Sequence, residues 1–144
     1  MKHEFESKLG PVKDKVFKTE QVGDKRIYLH CEAKDAFALN RYFYEELKMR
    51  FVTITGIDAE SCFELLYHYS NDAEGSVFTI KAFIRDRQTP SIESIAQFLP
   101  AAMWIEREIH ELFGINFLNH PNQEKLISEG NWAEGVYPLR KEFK

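Results

Sequence analysis

The chain has 144 residues, 44% hydrophobic and 29% charged, with 19 Lys and Arg against 23 Asp and Glu for a formal charge of −4. That length predicts a single core, and the mild acidity, spread along the chain without a basic block, argues against a phosphate-tracking surface for nucleic acid. Twelve Phe, six Tyr and two Trp make 20 rings, more than a small core is expected to need, and surplus rings point to interfaces.

Residues 1–14 are polar and read as an irregular N-terminal segment ahead of an α+β domain over 15–114. Segments 16–22 and 26–31 flank the turn-forming Gly23-Asp24, and Ile27, Leu29 and Cys31 alternate in the second, which predicts a β-hairpin. Over 35–49, Ala36, Leu39, Phe43 and Leu47 recur at three- to four-residue spacing, an amphipathic helix with Asp35 as its N-cap. A β-branched run at 51–55 ends at Gly56, and runs at 62–70 and 77–85 flank Asn71 to Gly75 as a second hairpin. The order β, β, α, β, β, β implies a single α+β domain, a mainly antiparallel sheet packed with helices.

Thr89-Pro90-Ser91 stops the last strand, and Ser91 is expected to cap a short helical turn through Ile92, Ile95, Phe98 and Leu99. Pro100 restarts the helix, because its missing N–H is harmless in a first turn. The helix then runs over 101–113 to Gly114, its C-terminal cap. Ala101, Ile105, Ile109, Leu112 and Phe113 are the expected inward face. Residues 115–144 carry no sustained periodicity but do carry Phe117, His120-Pro121, Trp132, Tyr137-Pro138 and Phe143, and read as an extended tail.

The densest polar cluster is Glu106-Arg107-Glu108-Ile109-His110-Glu111. Helical spacing puts Glu106 beside His110 and Arg107 beside Glu111. One reading is a solvated, ion-paired face of the common, weak kind. Another has the acids hold the Arg107 fork for a partner carboxylate or carbonyl. A third is a stand-alone enzyme using Glu106 to Glu111 as acid and base. Metal binding is disfavoured because the ligand set is incomplete and the two-His helical zinc motif is absent. Cys31 and Cys62 have no CxxC spacing, so this chain's cysteines alone hold no iron–sulfur or zinc site, and both read as buried thiols. No serine lies in a GxSxG elbow, and the seven glycines never approach phosphate-loop spacing. A nucleic-acid-binding sheet is opposed by the charge and by the lack of RNP-like aromatic motifs. No apolar run reaches the roughly 20 residues that span a bilayer, and MKHEFESKLG lacks the apolar stretch of a signal peptide, so a cytosolic protein is expected. In the tail, Trp132, Tyr137, Arg140 and Phe143 are of the types that dominate interface hot spots.

Pro90-Ser91-Ile92, Pro100-Ala101-Ala102, the block WIEREIHELFGINFLNHP from Trp104 to Pro121, and Tyr137-Pro138-Leu139-Arg140-Lys141-Glu142-Phe143 resemble the 30-kDa (C) subunit family of respiratory complex I (NADH:quinone oxidoreductase). That family includes the equivalent subunit of energy-converting membrane-bound nickel–iron hydrogenases and formate hydrogenlyases. The resemblance implies a non-catalytic component of the peripheral, hydrophilic arm. It would pack against the large (49-kDa-like, or hydrogenase large) subunit and the iron–sulfur subunits, on the cytoplasmic side of the membrane, and meet the membrane only through the complex. It implies no cofactor and no metal bound by this chain; the iron–sulfur clusters, and the quinone pocket or nickel–iron centre, would belong to partner subunits. Glu106, Arg107, Glu108 and Glu111 match the family's signature acids and base, and His120 and Pro121 its HP, with the expected role of locking the helix–tail junction and docking the partner together with Trp132, Tyr137, Arg140 and Phe143. With them, Trp104 and Phe117 are expected to place their rings on the partner-facing surface. Two features depart from the pattern. Glu124-Lys125 stands where many complex I members have two basic residues, and His110-Glu111 replaces a common Tyr-Asp, which leans towards the hydrogenase side.

Overall fold

A computed structural model describes residues 2–127 and 132–143. The part of the tail at 128–131, and residues 1 and 144, lie outside the described residues. Both predicted hairpins form: β1 (Lys18–Gln21) with β2 (Arg26–Glu32), and β4 (Phe63–Asn71) with β5 (Ser76–Ile84). Together with β3 (Arg50–Asp58) they make a five-stranded sheet in the order β1-β2-β5-β4-β3, antiparallel except for the central β2–β5 pair. The parallel pair follows from α2 (Ala33–Arg41), β3 and β4 forming the crossover between β2 and β5. Alternation sets the register: Ile27, Leu29 and Cys31, then Phe63, Leu65, Tyr67 and Tyr69, then Phe78, Ile80, Ala82 and Ile84, all point to the covered face and are at most 3% exposed.

Several local expectations give way to packing. Residues 1–14, expected to be irregular, contain α1 (Lys2–Lys8), followed by a 3-10 turn at Gly10–Lys15. Phe5, Leu9 and Val12, at four- and three-residue spacing, are all buried, and the Phe5 ring stacks on Phe78 at 4.1 Å. Asp35 is not the N-cap of α2: it lies in the first turn behind Glu32, and the helix widens into a π-turn at Tyr42–Glu46 that seats Phe43 in the core. β3 does not end at Gly56. It runs on to Asp58, and Gly56 is where the Phe113 ring crosses the strand, so close that a Cβ would meet Phe113 Cε2 at 2.9 Å.

Ser91 begins a strand rather than a helix. β6 (Ser91–Glu93) pairs in parallel with β7 (Asn116–Leu118), and Ser94 is the residue whose side chain caps the following 3-10 turn at Ile95–Gln97. A second 3-10 turn at Pro100–Ala102 leads into α3 (Met103–Phe113), closed by Gly114 at φ 75°. The core does not stop at Gly114, since Ile115 is 0% and Phe117 1% exposed. Eight of the 20 rings are buried, so the core absorbs more of them than composition suggests, and Phe117 is core, not partner-facing. Both cysteines are free and buried, and burial pushes the Cys31 thiol up to about 12, where it is inert. No helix among the described residues is long and apolar enough to cross a membrane.

Candidate interaction site: the α3 seam and the tail

Helix α3 buries the stripe Ala102, Glu106, Ile109 and Phe113 against the body, leaving Ile105 and Leu112 partly buried and Ala101 exposed. The expected apolar face is therefore rotated, and a carboxylate lies inside it. Glu106 is 0% exposed. Its Oε1 accepts from Ser94 Oγ at 2.8 Å and from Ala96 N at 3.1 Å, and its Oε2 from Ile95 N at 3.2 Å. It thus supplies the acceptors that the 3-10 turn at Ile95–Gln97 lacks at its start. The expected Glu106–His110 pair is absent from the described contacts, because His110 Nδ1 lies 2.9 Å from Ile115 O, across the Gly114 cap.

The next residue faces the other way. Arg107 donates through Nε to Glu124 O at 2.8 Å and through Nη2 to Lys125 O at 2.9 Å, with its guanidinium stacked 5.1 Å from the Trp104 ring. One turn on, Glu111 Oε2 accepts from Leu126 N at 2.8 Å and Ile127 N at 2.9 Å. A cation taking two carbonyls and an anion taking the next two amides clamp 124–127 across the helix. This replaces the solvated-face reading: Glu106, Arg107 and Glu111 are all buried. Glu108, between them, is partly exposed. His120 closes the junction from its other end. Its Nε2 lies 3.1 Å from Met103 O while Nδ1 accepts from Asn122 N at 2.9 Å, a neutral arrangement in keeping with burial holding this imidazole below its usual range. Pro121 beside it is exposed.

The Tyr137 to Phe143 segment folds back onto the body. Gly114 makes room for it, since a Cβ there would meet two Tyr137 ring atoms at 2.6 Å. Arg140 donates through Nε to Phe113 O at 2.7 Å, and its guanidinium lies over the Tyr137 and Phe63 rings at 4.6 and 5.0 Å. Asp58, at the end of β3, accepts from Lys141 N at 3.0 Å, from Glu60 N at 3.0 Å and from both terminal nitrogens of Arg87 at 2.7 and 3.2 Å. The Arg87 bonds hold its carboxyl well below the usual range. Asp58 and Arg87 lie far from the cluster in sequence and carry no local motif; the isolated acid at a strand end is their one visible trace.

Phe17 and Tyr44 are exposed beside Phe83 and Phe98, and the remaining exposed rings flank α3 and the tail. Trp104 is 55% exposed and Ile127 59%, while Trp132 and Phe143, edge to face at 5.4 Å, are 38% and 40% exposed. Lys125 Nζ reaches Trp132 O at 3.4 Å, which ties this pair to the clamped segment. Tyr137 and Arg140 are instead turned inward, so of the four tail residues expected to meet a partner, Trp132 and Phe143 present the larger free surface. Among the described residues no three His, Cys, Asp or Glu side chains come together as a metal site would require.

A mixed sheet with α3 and a clamped tail on one flank defines a small α+β domain. The family described as respiratory-chain NADH dehydrogenase, 30 Kd subunit, matches residues 29–144, and the chain belongs to that family. The C subunit of NADH-quinone oxidoreductase from Chelativorans sp. (strain BNC1) is 38% identical over 96 residues, 65% of this chain and 46% of that one. The protein of the same description in Francisella tularensis subsp. holarctica (strain FTNF002-00 / FTA) is 32% identical over 81 residues, 56% of this chain and 37% of the other. The chain thus spans less than half the length of these relatives. A chain of the membrane-bound sulfane sulfur reductase (MBS), an archaeal respiratory membrane complex, superposes with TM-score 0.77 at 26% identity, covering 98% of this chain and 86% of that one. The trypsin-resistant fragment (1-134) of Nqo5 shares the fold, with TM-score 0.66 at 21% identity over 82% of this chain and 98% of the fragment.

Proposed function

We propose that the chain is a non-catalytic structural subunit in the peripheral arm of a membrane-associated oxidoreductase of the complex I and energy-converting hydrogenase type. In this reading it docks the large subunit through the exposed side chains of Trp104, Ile127, Trp132 and Phe143. The supporting observation is the clamp: Arg107 and Glu111 are buried to hold 124–127 across α3, and that segment presents Ile127 outward and is tied through Lys125 to the exposed Trp132. A chain with no partner has little reason to order such a surface. Electron transfer to quinone or protons is supported by position alone, with iron–sulfur clusters and the quinone pocket or nickel–iron centre carried by neighbouring subunits, and the chain reaches the cytoplasmic face of the membrane through them. The enzyme alternative is not favoured, because Glu106 and Glu111 face opposite sides of α3 and both are occupied by backbone amides.

Truncation at Gly114 is a poor test, since it removes Ile115 and Phe117 from the core. Surface substitution is cleaner. The full chain, and the chain with Trp104→Ala and Trp132→Ala together, are compared for co-purification of the large subunit. Recovery should fall at least tenfold while the thermal midpoint of the free chain stays within about 2 °C; equal recovery overturns the docking reading.

A further inference from the structure

Glu106 is a buried carboxylate with neutral company. The charged groups on its own helix are turned elsewhere, Arg107 to the Glu124 and Lys125 carbonyls and Glu111 to the Leu126 and Ile127 amides, while His110 faces Ile115 O. From β4 it is faced by Tyr67 and Tyr69, and Cys31 on β2 lies near Tyr67; burial pushes all three up, so none is charged near neutrality. Ser94 completes the set from the loop. The Tyr69 hydroxyl donates to Asn40 Oδ1 at 2.7 Å, whereas the Tyr67 hydroxyl, fully buried, has no hydrogen-bond partner among the described residues. An ionised carboxylate in such a place, with no cation beside it among the described residues, is costly even with three donors. The two oxygens are also unequal. Oε1 takes two donors and Oε2 only one, at 3.2 Å, so Oε2 is the place for a proton.

We propose that Glu106 is a proton-operated latch: neutral, it seats the 94–97 turn dry against α3, and losing its proton opens that seam to water and loosens the helix from which Arg107 and Glu111 hold 124–127. Burial pushes this carboxyl up to about 7 from an ordinary 4.5. The native state therefore binds the extra proton between those values. Its contribution to stability is complete below pH 4.5 and is lost as pH rises through about 7.

The test is an amide-proton NMR titration of the full chain from pH 5 to 9, with thermal unfolding alongside it. Ile95 and Ala96 amides should titrate together with one midpoint near pH 7, Ile95 moving more because its bond is to the protonated oxygen. The thermal midpoint should fall by several degrees from pH 6 to 8, and Glu106→Gln should abolish that fall. Should Glu106→Gln not fold, Ser94→Ala serves in its place: removing a donor to the ionised form must raise the titration midpoint. Flat Ile95 and Ala96 resonances, a Glu106→Gln chain that keeps the wild-type fall, or an unmoved titration midpoint in Ser94→Ala each overturns the latch.

Discussion

In the sheet, Leu65, Tyr67 and Tyr69 alternate with partly exposed neighbours, and the burial of every second side chain fixes the pairing of β4 with both its partners. On α3, adjacent residues Glu106 and Arg107 are both buried, one inward and one outward, and each is held by backbone groups from a different loop. The sheet is held by area removed from water, which tolerates any apolar residue of the right size. The α3 seam is held by charge against backbone dipoles, which tolerates almost none. One region gives stability; the other gives a single position to a segment with no regular structure.

The largest effect should come from the body. Phe78→Ala removes a ring at 1% exposure that stacks on Phe5 and meets Phe43, and should cost about 3–5 kcal/mol in denaturant unfolding. Next comes Asp58→Ala. It strands the Lys141 amide and leaves Arg87 to Glu142 alone among the acids it meets, and should cost about 2–4 kcal/mol, below a fully buried pair because Arg87 is partly wet. Its pH signature runs opposite to that of Glu106. The Asp58 carboxyl is depressed from 3.8, so its contribution is present above that value and is lost as pH falls through the lower native one. Acid unfolding of Asp58→Ala should accordingly be shallower than that of the wild type.

Gly114→Ala lies at the boundary of the two regions. The positive φ costs an alanine about 1–2 kcal/mol, and the approach of Tyr137 adds to it. Hydrogen exchange should quicken at Leu139 N, which bonds Leu112 O, before the sheet is affected. The smallest loss of stability is expected for Arg107→Ala, about 1–2 kcal/mol, because the two carbonyls it leaves belong to the exposed residues Glu124 and Lys125 and can turn to water. Yet assembly with the large subunit should weaken far more than the fold. Equal losses in the free chain and in the complex would make Arg107 a purely structural residue and erase the contrast between the regions.

The sheet is legible because its rule is local. Ile27, Leu29 and Cys31 announce a buried face by period two, and Gly75, at φ 66°, turns β4 into β5. The seam is half legible. The family signature marks Glu106, Arg107, Glu111 and His120, but i,i+4 geometry assigns them to one another, whereas their partners are the Ser94 hydroxyl and the backbone of Ile95, Ala96, Met103 and 124–127. For Asp58 the isolated acid is visible but its partner is not, because it meets Lys141 across 83 residues.

The five strands of the main sheet, two of the helices, the Gly114 cap and the family follow from the amino-acid sequence without coordinates, since alternation, helical spacing and ordered polar identities are written within a few neighbouring residues, whereas the short β6–β7 pair does not. Folding settles the rest: which rings fill the core and which stay exposed, and whether each charge on α3 faces water or a backbone. A charged side chain's energy depends on the dielectric and donors around it, and those are supplied by segments that come near only in the folded chain.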